Sequence, residues 1–269
     1  MRHNSDVASD NAAAWDAYAA TDHQALAQGS DIAGYGPDIP DESQLRLLGD
    51  LKGRRILDLG CGGGHCSVAF AKAGAAVIGL DASKVQLGHA RRLAESCEVR
   101  LELRHGDVAD LAYLRADSID VAFSAYAFGY VSDLSRVFRQ VHRVLKVGAP
   151  LVFSLPHPAW TMIDPGSGPV SAPAAPGPGD GAGSGGDAPV VRRSYFDRRP
   201  MVYQSGGASF TEHHHSFAEL YMGLSRASYK VDAVLEPEPV PGAHRSAAWR
   251  PAQTMIPRTL IIRARKEGS

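Results

Sequence analysis

Between Arg54 and Pro156 short apolar runs alternate with amphipathic stretches, and this alternation limits the possible folds more than any other feature of the chain. Residues 55–59, 76–80, 100–103, 120–123 and 150–154 read as strands. Residues 67–72 follow the first of them as a short helical stretch, and 84–95 form a second helix. A third, over 134–145, carries Val137, Val141, Val144 and Leu145 at helical spacing. Strands alternating with helices indicate an α/β fold, a doubly wound, mostly parallel sheet with helices on both faces. Two late runs, 231–235 and 259–263, complete a seven-stranded sheet. A helix over 216–227 precedes them, with Phe217, Leu220, Tyr221 and Leu224 on one face and Ser216 as its N-cap.

Three regions differ in texture. Residues 1–50 are rich in Ala, Asp and Gln, with Trp15 and Tyr18 three apart on an expected helix, and are read as an N-terminal helical cap. Residues 51–269 are read as the main domain. Within it, 164–189 is nearly all Gly, Pro, Ala, Ser and Asp, which buries too little apolar area to offset ordering entropy, so a flexible loop is expected. Residues 190–228 are expected to form a lid insertion on the substrate side.

Composition excludes several classes of function. A formal net charge of −1 gives no broad basic field, so nucleic acid is not expected as a partner. No run approaches the roughly 20 apolar residues of a membrane span, and the first residues lack the apolar core of a secretory signal. The three cysteines are scattered, which argues against a disulfide framework. A cytoplasmic monomer or homodimer acting on a small molecule is expected.

The chemistry is concentrated in Ile56-Leu57-Asp58-Leu59-Gly60-Cys61-Gly62-Gly63-Gly64. A strand ends, the chain turns on glycines that let a ligand approach the backbone, and a helix begins with free N–H groups. Gly60, Gly62 and Gly64 follow G-x-G-x-G, and His65 stands where a dinucleotide fingerprint requires its third glycine. Asp58 would repel a pyrophosphate but suits a cationic amino group. Asp81, in Leu80-Asp81-Ala82-Ser83 at the end of the second strand, can accept hydrogen bonds from both hydroxyls of a ribose. Asp107, in His105-Gly106-Asp107-Val108, can accept from an adenine amino group while the Val108 amide meets a ring nitrogen. Three carboxylates at three successive strand ends surround the place where such sheets bind ligands.

Other residues have two readings each. Cys61 reads as a small packing residue of the turn rather than a nucleophile. His213-His214-His215 lacks a partner cluster at ligand spacing, so no metal is expected. His157, after the fifth strand, is a general-base candidate or a hydrogen-bonded strand-end histidine. Trp15, Tyr18, Phe128, Tyr130, Trp160 and Tyr203 are candidates for an apolar substrate pocket, or for core.

Taken together, the chain resembles the class I S-adenosylmethionine-dependent methyltransferases of the type 11, UbiE-like group. The resemblance is carried by residues 57–64, Gly79-Leu80-Asp81-Ala82-Ser83, His105-Gly106-Asp107 and Val144-Leu145-Lys146. Weaker likeness extends to Tyr35-Gly36-Pro37, Ser154-Leu155-Pro156-His157-Pro158, Ser194-Tyr195-Phe196-Asp197 and Leu235-Glu236-Pro237-Glu238-Pro239. One departure is Lys146-Val147-Gly148-Ala149, where the group has Lys/Arg-Pro-Gly-Gly. The resemblance implies a Rossmann-like sheet, S-adenosyl-L-methionine as cofactor, and methyl transfer to an O or N atom of a small metabolite. It implies that Asp58, Gly60, Cys61, Gly62 and Gly64 hold the methionyl end, and that Asp81 and Ala82 take the ribose with Gln86 beside it or the adenine. Asp107 and Val108 would read adenine, Ser124 would lie near the methionyl group, and Tyr35 would close over the cofactor. The place of His214 implies a substrate-facing role, which makes it and His157 the two candidate bases. The competing readings are a nicotinamide-dependent oxidoreductase and a non-catalytic cofactor-binding scaffold on the same fold.

Overall fold

A computed structural model describes residues 4–21, 31–163, 189–242, 245–246 and 249–268. The expected flexible loop lies almost wholly outside the described residues. In chain order the elements are α1 (Asn4–Thr21), α2 (Glu42–Leu45), β1 (Arg55–Leu59), α3 (His65–Lys72), β2 (Ala76–Asp81), α4 (Lys84–Ser96), β3 (Leu101–His105) and β4 (Val121–Ala125). They continue as α5 (Leu134–Val144), β5 (Pro150–Pro156), α6 (Trp160–Ile163), β6 (Met201–Ser205), β7 (Ala208–Glu212), α7 (Phe217–Arg226), β8 (Tyr229–Leu235) and β9 (Thr259–Lys266).

Seven strands form one sheet in the order β3-β2-β1-β4-β5-β9-β8. The pairs from β3 through β5 are parallel, and β9 is antiparallel to both of its neighbours. The fold class expected from the sequence is therefore the one observed. Successive strand residues point to opposite faces, and both faces are buried. Leu57, Leu59, Ala122, Leu151, Phe153, Leu260 and Ile262 pack on one side with α5 and α7. Ile56, Val121, Phe123, Val152 and Ile261 pack on the other with Phe70 of α3. Strand order reverses between β1 and β4, which opens a crevice at their C-terminal ends.

The ends of the helices follow local rules. Ser83 caps α4 by accepting from the Gln86 amide at 3.0 Å. Ser216 and Glu219 form a reciprocal capping box at the start of α7.

The N-terminal 50 residues do not form one cap. Residues Ala33, Tyr35, Ile39, Leu47, Leu48 and Leu51 complete the core on the α3 face of the sheet. Helix α1 instead packs on a separate hairpin, β6–β7, which the sequence reading missed. Gly206 and Gly207 at its tip both have positive φ (+56° and +77°), as a tight two-residue hairpin turn requires. The region expected as a lid is thus divided, because α7 buries Leu220 and Leu224 in the main core and only the hairpin joins α1. Asn11 fastens α1 to β7: its amide group donates to Thr211 O and accepts from Thr211 N, both at 2.8 Å. Among the described residues no helix is long and apolar enough to cross a membrane.

Candidate functional site

The crevice is floored by the turn after β1. Gly60, Gly62 and Gly64 have φ of +74°, +52° and +84°. The amides of Gly60 and Cys61 both donate to Leu80 O, at 2.8 and 3.0 Å, which locks the turn to the end of β2. A Cβ on Gly60 would collide with Ala127 in the turn after β4. A Cβ on Gly62 would have no atom nearer than Gln86 Oε1 at 4.0 Å, so the Gly62 backbone faces open space.

Two carboxyls flank this turn, Asp58 buried and Asp81 half-buried. Asp58 is 2% exposed, and its Oδ2 accepts from Ser67 Oγ at 2.6 Å. Burial, with a smaller push from Asp81 and an opposing pull from the Ser67 hydroxyl, raises its pKa to about 7. Asp81 also titrates above its ordinary range, chiefly through burial. Its Oδ2 accepts from the Gly62 amide and its Oδ1 from the Ser83 amide, both at 2.8 Å. The Ala82 amide also lies against this carboxylate, which keeps acceptor capacity for further donors. Gln86 is buried beside the turn with its Oε1 unpartnered.

The third strand-end carboxylate, Asp107, is exposed, and its Oδ1 accepts from the Ala109 amide at 2.8 Å. His105 donates through Nε2 to Ala82 O at 3.0 Å and ties the tips of β3 and β2 together.

These residues fit the nucleoside and amino-acid ends of a cofactor, and comparison with known proteins places the chain. Residues 56–148 match the methyltransferase domain family. A solved S-adenosylmethionine-dependent methyltransferase from Mesorhizobium loti is 29% identical, with a TM-score of 0.63 over 84% of this chain and 96% of that one. Residues 56–148 carry a methyltransferase domain, and the chain shares its fold with a solved S-adenosylmethionine-dependent methyltransferase. A ubiquinone biosynthesis O-methyltransferase of Hahella chejuensis is 38% identical over 104 residues, which cover 39% of this chain and 44% of that one. An uncharacterized protein of Haemophilus influenzae is 35% identical over 127 residues, 46% of this chain and 50% of that one. The chain thus spans about half the length of the curated relatives it matches.

Several side chains singled out from the sequence are engaged elsewhere in the fold. Ser124 is fully buried and donates to Leu59 O at 2.8 Å, so it ties β4 to β1. Tyr35 is fully buried against Phe123, and its hydroxyl donates to Glu42, so its ring belongs to the core in this structure. Cys61 is buried, and burial first, then Asp81 and Asp58, holds its thiol well above the ordinary range, which leaves it packing rather than nucleophilic. Phe128 packs with Phe138 and Phe153 inside the main core.

The remaining aromatics do come together. Trp15 and Tyr18 of α1 meet Tyr130 and Tyr203 around Phe210, and the Tyr130 and Tyr203 hydroxyls are 2.6 Å apart. Among the described residues no cluster of three or more His, Cys, Asp and Glu is placed to hold a metal ion.

The two histidines differ sharply. His157 Nδ1 accepts from the Ala159 amide at 3.0 Å, so its Nε2 carries the proton donated to Glu236 at 2.8 Å. Both ring nitrogens are committed, and the strand-end reading of His157 is the one its geometry supports. His214 is 7% exposed, and its Nδ1 lies 2.8 Å from Thr161 Oγ1, whose proton goes to Pro158 O. Nδ1 is therefore the donor, and Nε2 is a buried lone pair with no partner. Burial also lowers the His214 pKa.

Three residues at this edge were not found from the sequence. Asp16 of α1 accepts from Ser83 Oγ at 2.6 Å and from the Val85 amide at 3.1 Å. Tyr126, just after β4, has φ +59°, rare for a bulky residue. Its amide donates to Ser154 O and its hydroxyl meets Thr259 Oγ1. Glu212, at the end of β7, is buried against Gly129 and Pro156. Of the three, only Glu212 had a sequence signal, since it ends the alternating segment that follows the Gly206-Gly207 turn.

Proposed function

We propose that this chain transfers a methyl group from S-adenosylmethionine to an O or N atom of a small molecule. The observation that carries the reading is the pair of carboxyls, buried Asp58 and half-buried Asp81, on either side of an open glycine turn. The orphaned Gln86 Oε1 beside them supplies the acceptor a nucleoside would meet. The cofactor, when bound, supplies an electrophilic methyl on a sulfonium. Asp81 offers its remaining acceptor capacity to ribose hydroxyls, and Asp58 faces the cationic amino group. Residues of α1 and the hairpin exclude water above the crevice, and the protein's main contribution is to hold donor and acceptor in line. Calorimetric titration with S-adenosylmethionine tests this reading directly. A folded chain that fails to bind it overturns the proposal.

Protonation of Asp58 gives the binding a pH dependence with a definite sign. Its pKa is raised to about 7, so below that pH the free site holds a neutral carboxyl and a cationic ligand must displace a proton. Affinity is expected to rise with pH through this window, by on the order of tenfold between pH 6 and pH 8. In Asp58→Asn the slope should vanish in calorimetry across the same range. A flat wild-type profile would separate Asp58 from cofactor binding.

We assign proton transfer from a hydroxyl or ammonium acceptor to His214, a reading supported by its buried Nε2 with no hydrogen-bond partner. With an acceptor that supports release of S-adenosylhomocysteine, His214→Phe is expected to slow turnover roughly 10²–10⁴-fold. The acidic limb of the pH–rate profile should disappear with it. His157→Asn should keep that limb. Retention of the limb in His214→Phe removes His214 from the proton transfer.

A further inference from the structure

We infer that Trp160, Gln253 and Arg258 form an anion-binding subsite that anchors a carboxylate-bearing methyl acceptor. The inference rests on the methyltransferase reading above and names the substrate class for it. Trp160 is 2% exposed, and its Nε1–H has no acceptor. Gln253 is 4% exposed, and its Oε1 accepts from the Arg250 amide at 2.8 Å and from Arg258 Nη1 at 3.2 Å. Those two donors fix which end of the amide is oxygen. The other end, the Nε2 group, is left with two N–H donors and no partner. Arg258 joins the two, since the same guanidinium that donates to Gln253 lies over the Trp160 ring, 5.6 Å from its centroid.

Buried polar groups are almost always paired, and here every orphan in the group is a donor. The missing component is an acceptor. A carboxylate supplies two oxygens, a full negative charge and the planar fork that a guanidinium matches. The donors also stand at the acceptor side of the crevice. Arg258 precedes Thr259, whose hydroxyl meets Tyr126 at the end of β4. The next residue, Ala127, is the one on which Gly60 packs. Trp160 opens α6 directly after β5, and its amide donates to His157 O at 2.9 Å.

The test follows the Trp160 indole ¹H–¹⁵N resonance of the full chain, identified by its loss in Trp160→Phe. The chain is titrated with sodium 4-hydroxybenzoate, with methyl 4-hydroxybenzoate, and with sodium sulfate. The expected result is a saturable downfield shift with the carboxylate and none with the ester. Binding should weaken at least tenfold in Gln253→Glu, which replaces the donor amide group with a negatively charged acceptor of nearly the same shape, and severalfold in Arg258→Lys. Thermal melting and S-adenosylmethionine calorimetry on the same samples report whether each variant is folded. No shift with the carboxylate, an equal shift with the ester, or equal binding of sulfate overturns the inference. If S-adenosylmethionine binds and the carboxylate does not, only the subsite is lost. If the carboxylate binds and S-adenosylmethionine does not, the methyltransferase reading is lost instead.

Discussion

Asp81→Ala is expected to lower the affinity for S-adenosylmethionine at least a hundredfold while leaving the sheet intact. Two hydrogen bonds from ribose hydroxyls to one carboxylate, at roughly 1.5–3 kcal/mol each, sum to about 3–6 kcal/mol. That range corresponds to roughly two to four orders of magnitude in Kd. Asp81 also holds the Gly62 and Ser83 amides, so the substitution loosens the turn as well as removing the ribose acceptor. Asp81→Asn separates these effects: one amide oxygen still accepts, the charge is gone, and an intermediate loss is expected. Calorimetry on all three proteins, with far-ultraviolet circular dichroism as a folding control, checks the ordering. Wild-type affinity in a folded Asp81→Ala chain would exclude the ribose role.

A second large effect separates two glycines of the same turn. Gly60→Ala places a methyl group against Ala127 at a φ that L-residues avoid. Left-handed backbone costs about 1–2 kcal/mol and overpacking about 1–3 kcal/mol more. A loss of about 2–5 kcal/mol in stability is therefore expected, read as a markedly lower Tm. Gly62→Ala has the same backbone penalty but no collision, because its Cβ would enter open space. On the proposed reading that space is where the cofactor would approach the main chain. Gly62→Ala is thus expected to fold with a modest loss of stability yet bind S-adenosylmethionine poorly. Equal melting temperatures for the two variants would contradict the packing argument.

The sheet was legible because each strand is a short apolar run whose burial on both faces depends on its own residues. β1 and β5 show this, with Leu57 and Leu151 facing one core and Ile56 and Val152 the other. The cap of α7 was legible for the same reason, since Ser216 satisfies an amide three residues away. The carboxyls at the tips of β1 and β2 followed from strand ends and could be placed without the rest of the fold.

What escaped was decided by partners far along the chain. Asp16 meets Ser83 across 67 positions, and Asn11 meets Thr211 across 200. No local pattern announces such contacts. The family resemblance implied a place for Ser124 near the cofactor, but its hydroxyl is used by a carbonyl 65 residues earlier. His157 and His214 look equivalent as sequence, and only their hydrogen-bond partners distinguish a committed ring from one with a spare lone pair. The hairpin is different: Gly206-Gly207 between alternating residues is a local signal, and it was available.

The carboxylate of Asp16 at the start of α4 bears on which nucleotides this crevice can admit. The first turn of a helix offers its free amides and positive dipole end to an anion, and phosphates commonly take that place. Here the chain has filled it from within: Asp16 accepts from the Val85 amide and from the Ser83 hydroxyl that caps the helix. A nucleoside with a phosphate on its ribose would have to evict an internal counter-ion and then sit against Asp81 as well. An adenosine bearing no phosphate meets neither obstacle. On the proposed reading ligand choice would be set by occupancy, with phosphorylated nucleotides disfavoured because the anion seat of the helix is already taken.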